Sequence, residues 1–481
     1  MRRSLPYAAP IAGERDTGDR IDRTAWLALL GMGLAVLVIA NDFSAMNVAL
    51  PTMERDFHTN VNTIQWVVNA YALTFGVLIV PGGRLADMFG RRTVFFVGAG
   101  IFATFSAIGG AAQTETWLIA ARVLMGVGGA LMWPAILGMT YAALPESKAG
   151  LAGGIILGAA GIGNALGPLI GGVLTDELSW RWILYLNVPI AIFAVIVTYL
   201  LVHQPKPEDP GRRIDYAGIA TLSTALVALL LALDQIDDWG IADPRVVGAL
   251  VLSAVLLAAF GPLERRAGKD ALVPREVMRN ESFAASCVAI LFMSATFFAS
   301  LLYLPQFMQK HLGYSPLEAG TGMLPFLATF ALVSFVAGPL YNRIGAKPIV
   351  TAGAACIAVG PLLFSTLDSS STYSSLVPGM VILGIGIGLF YATATTAGVT
   401  SVDESQTSLA GGIIYMFQVA GGSIGLGLTT MVFSSGADFI DGLRSAFLLD
   451  GILAVIGFLI TLFFVGGRLG RLRGQPAESA A

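Results

Sequence analysis

A chain of 481 residues that is 55% hydrophobic and only 12% charged, with 57 glycines, is too apolar for a water-soluble domain. The formal net charge of −3 is uninformative by itself, nothing in the chain resembles a nucleic-acid surface, and two cysteines cannot make a disulfide framework. A polytopic membrane protein is the class that fits.

The first 24 residues are polar, basic and proline-containing, and a full-length span follows without a small-residue cleavage site; they read as a cytoplasmic tail (1–24) and not a signal peptide. Apolar runs of helix-spanning length fall at 25–50, 63–83, 93–113, 117–143, 149–174 and 181–202, which make an N-terminal half over 25–202. Runs at 215–235 and 245–263 form an inserted pair within 203–282. Six more, at 283–308, 318–341, 348–366, 374–399, 409–433 and 443–466, make a C-terminal half over 283–466, and 467–481 is a second basic tail. The expected fold is therefore all-α, with fourteen membrane helices and both termini on one side. Arg84, Arg91, Arg92, Lys148, Arg265, Arg343 and Lys347 all fall in one alternate set of loops, and the positive-inside rule makes that set cytoplasmic.

Several side chains stand out against this background. Asp42 lies inside the first span, where an ionisable group costs at least about 2.5 kcal/mol and must face the protein interior or a water-filled cavity. Arg122 lies at a similar depth in the fourth, on a face shared with Gly126, Gly129 and Trp133, so the two can meet; a proton-handling pair and a plain helix-to-helix tie both remain open. Asp450, early in the last span, is another intramembrane acid that reads as an acid near the outer interface, with a second proton site as the alternative. In the fifth span Gly163, Gly167 and Gly171 recur every four residues around Pro168, a small-residue packing face with a break in its hydrogen bonding. Cys287 and Cys356 read as free thiols within spans, and the three histidines lie in separate loops, so no metal cluster is expected.

The chain also repeats itself. Leu151-Ala152-Gly153-Gly154-Ile155-Ile156 recurs letter for letter as Leu409-Ala410-Gly411-Gly412-Ile413-Ile414, and the loop Gly83 to Arg92 has a partner in Gly338 to Lys347. The two offsets, 258 and 255, differ by three residues, so the duplicated unit is six helices in parallel orientation, and the inserted pair has no partner. Two such halves, with substrate near the midplane between them, are an arrangement of secondary transporters.

Here the chain resembles the major facilitator superfamily, and within it the fourteen-helix branch of drug:proton antiporters, the EmrB/QacA-like proteins. The motifs that carry the resemblance are Asp42 to Pro51, Gly83 to Arg92, Arg122, and Gly163 to Gly172; the first departs from the branch at Phe43, Ser44, Ala45 and Met46. The resemblance implies proton coupling through Asp42 and Arg122, and gating through Gly83, Asp87, Gly90, Arg91 and Arg92 together with Gly163, Gly167, Pro168 and Gly171. Candidates for a substrate pocket with apolar walls and few polar handles are Gln65, Trp66, Asn69, Tyr71, Asn164, Tyr303, Gln306, Phe307, Tyr391, Tyr415 and Gln418. The expected function is export of amphipathic or cationic small molecules in exchange for protons, with a dedicated exporter of one metabolite, antibiotic, amino acid or lipid as the alternative. No P-loop is present, so an ion gradient is expected to supply the energy, the resemblance implies that it is the proton gradient, and no cofactor is expected; the expected partners are substrate, protons and the bilayer of a bacterial inner membrane, around a monomer. No catalytic constellation supports an enzyme.

Overall fold

In lipid a backbone can satisfy its own N–H and C=O groups only as a helix or a closed barrel, so apolar runs of this length must become continuous helices. The computed structural model describes residues 23–59, 61–202, 214–240 and 242–465; the loop at 203–213 and most of both tails lie outside them. Fourteen helices there are long and apolar enough to cross a membrane. In chain order they are α1 (Arg23–Phe57), α2 (Val61–Phe89), α3 (Arg91–Gly110), α4 (Glu115–Ala142), α5 (Ala149–Glu177), α6 (Arg181–Leu201), α7 (Tyr216–Asp234) and α8 (Pro244–Ala267). The C-terminal set is α9 (Glu281–Lys310), α10 (Pro316–Gly322 and Leu324–Ile344), α11 (Ala346–Phe364), α12 (Tyr373–Val399), α13 (Thr407–Ser434) and α14 (Phe439–Phe464). Polar caps fix several starts: Thr114 Oγ1 accepts from Trp117 N, Asn280 Oδ1 from Phe283 N, and Asp438 Oδ1 from Asp441 N.

Two expectations shift by a few turns. The Gly83–Arg92 segment is not a loop through its length: α2 stays helical to Phe89, and Gly90 alone separates it from α3. Gly90 has φ 96° and its duplicate Gly345 has φ 81°, backbone that favours glycine, so each motif turns the chain in one residue. The tenth span is broken at Met323, because Pro325 lacks an N–H and belongs in the first turn of a new helix. By contrast α5 runs unbroken through Pro168.

Packing follows the duplication. Within the N-terminal half α1 lies on α5, α4 on α2 and α3, and α6 on α1 and α3; within the C-terminal half α9 lies on α13, α12 on α10 and α11, and α14 on α9 and α11. The halves meet along two seams, α5 with α10 and α2 with α13, and exchanging the halves exchanges the seams. The inserted α7 touches α2 and α13 at the edge of one seam, and α8 packs on α7.

Glycine decides how close these helices come. On α5 the glycines form two faces. A Cβ on Gly163 or Gly171 would lie 2.6 Å from the carbonyl oxygen of Leu37 or Ala45, so that face presses on α1 inside its own half. A Cβ on Gly150 would lie 2.5 Å from the Gly338 carbonyl oxygen and one on Gly154 2.8 Å from that of Ser334, so the other face presses on α10 across the seam.

Candidate functional site

Asp42 and Arg122, on α1 and α4, are both fully buried, and Arg122 Nη1 donates to Asp42 Oδ2 at 2.5 Å. The second carboxylate oxygen accepts from Asn187 Nδ2 of α6 at 2.7 Å. That amide also reaches Ser106 Oγ of α3 at 3.2 Å, and Ser106 in turn donates to the Leu184 carbonyl at 2.7 Å. Arg122 Nε donates to the Val67 carbonyl of α2 at 2.8 Å, and its guanidinium carbon stands 4.2 Å from the centre of the Tyr71 ring. A buried pair of opposite charges with this many additional donors and acceptors can hold both charges in a low-dielectric interior. Arg122 Nη2 and the Tyr71 hydroxyl keep no hydrogen-bond partner, so the network is not saturated.

Sequence reading did not single out Asn187 or Ser106. An amide in the middle of the otherwise apolar α6 was the available signal, since an unpaired side-chain amide in a span is costly.

A second set of contacts lies where α2 ends. Asp87 Oδ2 accepts from Leu409 N at 2.8 Å and Oδ1 from Ser408 N at 3.3 Å, so a carboxylate of one half caps the first turn of α13 in the other. Arg91 Nε donates to Asp87 Oδ1 at 3.2 Å, Nη1 to the Gly138 carbonyl at 3.0 Å, and Nη2 to the Glu404 carbonyl across the seam. A Cβ on Gly83 would lie 2.6 Å from the Ser408 carbonyl oxygen. The duplicate repeats this on the other seam: Asn342 Oδ1 accepts from Gly150 N at 3.2 Å, and a Cβ on Gly338 would lie 2.9 Å from Leu151 Cα. Both motif bases close their own half, Arg92 Nη2 on the Tyr199 carbonyl at 2.6 Å and Lys347 Nζ on the Thr461 and Val465 carbonyls at 3.1 and 2.9 Å.

The pocket candidates separate into groups. Tyr415 of α13 meets Trp133 of α4 at 4.8 Å and Phe75 of α2 at 5.3 Å between ring centres, an aromatic cluster that crosses between the halves. Tyr71 is buried over Arg122 and stacks on Phe75 at 5.9 Å, which places it between the charged pair and that cluster. Tyr303, Phe307 and Tyr391 are buried inside the C-terminal half: Tyr303 stacks on Phe433 at 5.0 Å, Phe307 meets His311 at 4.8 Å, and the Tyr391 hydroxyl is 2.8 Å from Ser294 Oγ. Trp66, Asn69, Asn164, Gln306 and Gln418 are half-buried and Gln65 is exposed. Among the described residues no group of three or more His, Cys, Asp or Glu comes together that could hold a metal ion.

Residues 32–426 and 283–480 match the Major Facilitator Superfamily. The chain belongs to this family. Similar proteins include a puromycin resistance protein of Streptomyces alboniger, 33% identical, covering 93% of this chain and 90% of the relative. A cephamycin export protein of Amycolatopsis lactamdurans is 33% identical over 86% of each chain, and a multidrug transporter of Bacillus subtilis is 31% identical over 85% and 75%. The crystal structure of the human organic anion transporter MFSD10 superposes with a TM-score of 0.65 over 91% of this superfamily member and 99% of that chain; at 14% identity it speaks to the fold alone.

Proposed function

We propose that the protein is a multidrug efflux transporter of the fourteen-helix drug:proton antiporter branch, which exports amphipathic small molecules in exchange for protons. The relatives named for antibiotic resistance and export support the cargo class. The observation that carries the coupling is the double engagement of α2. Toward one end it supplies the Val67 carbonyl and Tyr71 ring to Arg122, and at the other it supplies Gly83 and Asp87 to the seam with α13.

Protonating Asp42 removes one charge of the pair and leaves Arg122 to the Val67 carbonyl and the Tyr71 ring. The helix that feels this change is the one clamped to the other half. On this reading the clamped end, which carries Arg91, Arg92, Arg343 and Lys347, is cytoplasmic, and the described conformation belongs to the outward-facing stage of the cycle. Substrate binds from the cytoplasm with Asp42 ionised and leaves outside; Asp42 then takes a proton, and the empty carrier returns. One charge moved through 100 mV supplies about 2.3 kcal/mol, enough for a roughly fiftyfold concentration ratio.

Proteoliposomes with an imposed pH gradient test this. Asp42→Asn is expected to abolish gradient-driven efflux of ethidium and puromycin in a protein that still folds, with melting lowered because Arg122 loses its buried partner, and full retention of transport ends the assignment. A panel of dyes and antibiotics in the same vesicles separates a multidrug carrier from a dedicated antibiotic exporter, which would move one compound class only.

A further inference from the structure

Asp450 is fully buried in α14, three turns in from the helix start, and not at the interface where its position in the sequence suggested. One carboxyl oxygen, Oδ1, lies 2.9 Å from Thr429 Oγ1 of α13, and Oδ2 has no hydrogen-bond partner. Thr429 Oγ1 is also 2.7 Å from the carbonyl oxygen of Gly425. A hydroxyl owns one hydrogen, and a carbonyl oxygen can only accept. Both contacts draw on that one hydrogen, so Thr429 satisfies the carboxyl only in part, whereas a protonated Asp450 that donates to Thr429 Oγ1 lets both contacts be full hydrogen bonds.

The surroundings agree with a neutral acid. Among the helices packed on α14, α13 carries no charged residue, α9 carries Glu281 and Lys310 at its two ends, and α11 carries Lys347 near its start. Lys347 is bonded to the Thr461 and Val465 carbonyls, at least eleven residues further along α14, roughly 16 Å away along the axis. On α14 itself Asp441 and Arg444 lie toward the opposite end, with Arg444 Nε on the Ser365 carbonyl. The other titratable side chains on α9, α11 and α13 are Cys287, Tyr303, Cys356 and Tyr415. Of these Tyr303 is the nearest by bonding, its hydroxyl 2.8 Å from Thr430 Oγ1. Gln306 and Lys310, 3.1 Å apart, continue that face of α9 to the exposed end.

We propose that Asp450 is a second proton-binding site, in the C-terminal half, filled in this conformation from the aqueous phase beyond Thr430 and Tyr303 and emptied in the opposite-facing stage of the cycle. The exchange is a simple proton transfer: on release the O–H bond of the carboxyl breaks and water on the cytoplasmic side accepts the proton, and the carboxylate is reloaded from water on the outer side. The use of this exchange in transport rests on the antiport reading, whereas the site itself does not.

Infrared spectroscopy of the full-length protein in lipid tests the site without transport. The carbonyl stretch of a protonated carboxylic acid is expected in the wild type at neutral pH, retained in Asp42→Asn and lost in Asp450→Asn. Thr429→Val, which removes the hydroxyl partner, is expected to move that band without abolishing it. Its intensity should fall reversibly as the bath is made alkaline. A spectrum unchanged by Asp450→Asn, or a band unmoved across the pH range in which the protein stays folded, overturns the proposal. Proton release on adding saturating puromycin then addresses its use: about twofold fewer protons per protein are expected from Asp450→Asn than from wild type. Equal release overturns participation in the cycle, and no release from wild type counts against the antiport reading while the infrared result still decides the site.

Discussion

The two halves of this transporter share a frame and differ in the chemistry set into it. Gly126 of α4 and Gly384 of α12 occupy the same packing position: a Cβ on either would meet a backbone carbonyl, that of Tyr71 at 2.8 Å in one half and of Phe326 at 2.5 Å in the other. Four residues before each glycine stand Arg122 and Met380, both buried. The N-terminal half thus holds its acid against an arginine and an amide, whereas the C-terminal half holds Asp450 with one threonine hydroxyl and a methionine at the arginine's place. The two halves therefore offer one charged and one uncharged environment for a carboxyl group, on helices that the duplication does not pair, α1 and α14.

Making the N-terminal half resemble its partner tests that difference most severely. Arg122→Met leaves Asp42 buried with only Asn187 beside it, and losing one partner of a buried ion pair typically costs about 3–5 kcal/mol. Thermal unfolding should show a large drop, and gradient-driven efflux should vanish. Adding Asp42→Asn to that variant is expected to restore most of the stability and none of the transport. Recovery of both would mean that the pair is a tie between helices and nothing more.

The glycines allow a second comparison, between contacts across the seam and contacts within a half. In Gly83→Ala the new methyl meets the Ser408 carbonyl of the other half, so overpacking of about 1–3 kcal/mol falls on closure and not on folding. Hydrogen exchange over residues 404–412 should accelerate roughly tenfold while the melting temperature barely moves. In Gly163→Ala the methyl meets the Leu37 carbonyl within the same half, so melting should fall and exchange over 404–412 should stay close to wild type. If both variants behave alike, the seam is not a separable element.

These pairs also mark what could be read in the sequence. The fourteen helices, the six-helix duplication and the matching depth of Asp42 and Arg122 follow from apolar length, literal repeats and residue counting, all of which are local properties. The two glycine faces of α5 were not separable in that way, because Gly150, Gly154, Gly163 and Gly171 make one run of small residues until neighbours are placed around them. Asp450 was misplaced for a related reason. Position along a span fixes depth, but only the packing of α9, α11 and α13 decides whether an acid near a helix end meets water or protein. Asn187 and Asp87 make the same point from the polar side, since their partners lie 145 and more than 300 residues away.

The smallest expected effect concerns the proline that distinguishes α5 from α13. Gly163 and Gly167 have counterparts in Gly421 and Gly425, but Pro168 stands where α13 has Leu426. The helix is continuous through Pro168, so the proline does not break it; its missing N–H leaves the Asn164 carbonyl without a helical donor at the seam. Pro168 Cβ lies 3.3 Å from where a Cβ on Gly320 would stand, so it touches α10 of the other half, while neighbouring Gly167 presses on Ser44 of α1. A residue that faces the seam and loosens one backbone bond makes local bending easier there. Pro168→Ala restores the donor and keeps the space, so it should stiffen α5 without disturbing the core. Efflux rates in vesicles are expected to fall about threefold, with less change for Leu426→Ala, because Leu426 already has a complete backbone ladder. Equal effects of the two substitutions would return Pro168 to ordinary helix packing and leave the asymmetry of the halves to their carboxyl groups alone.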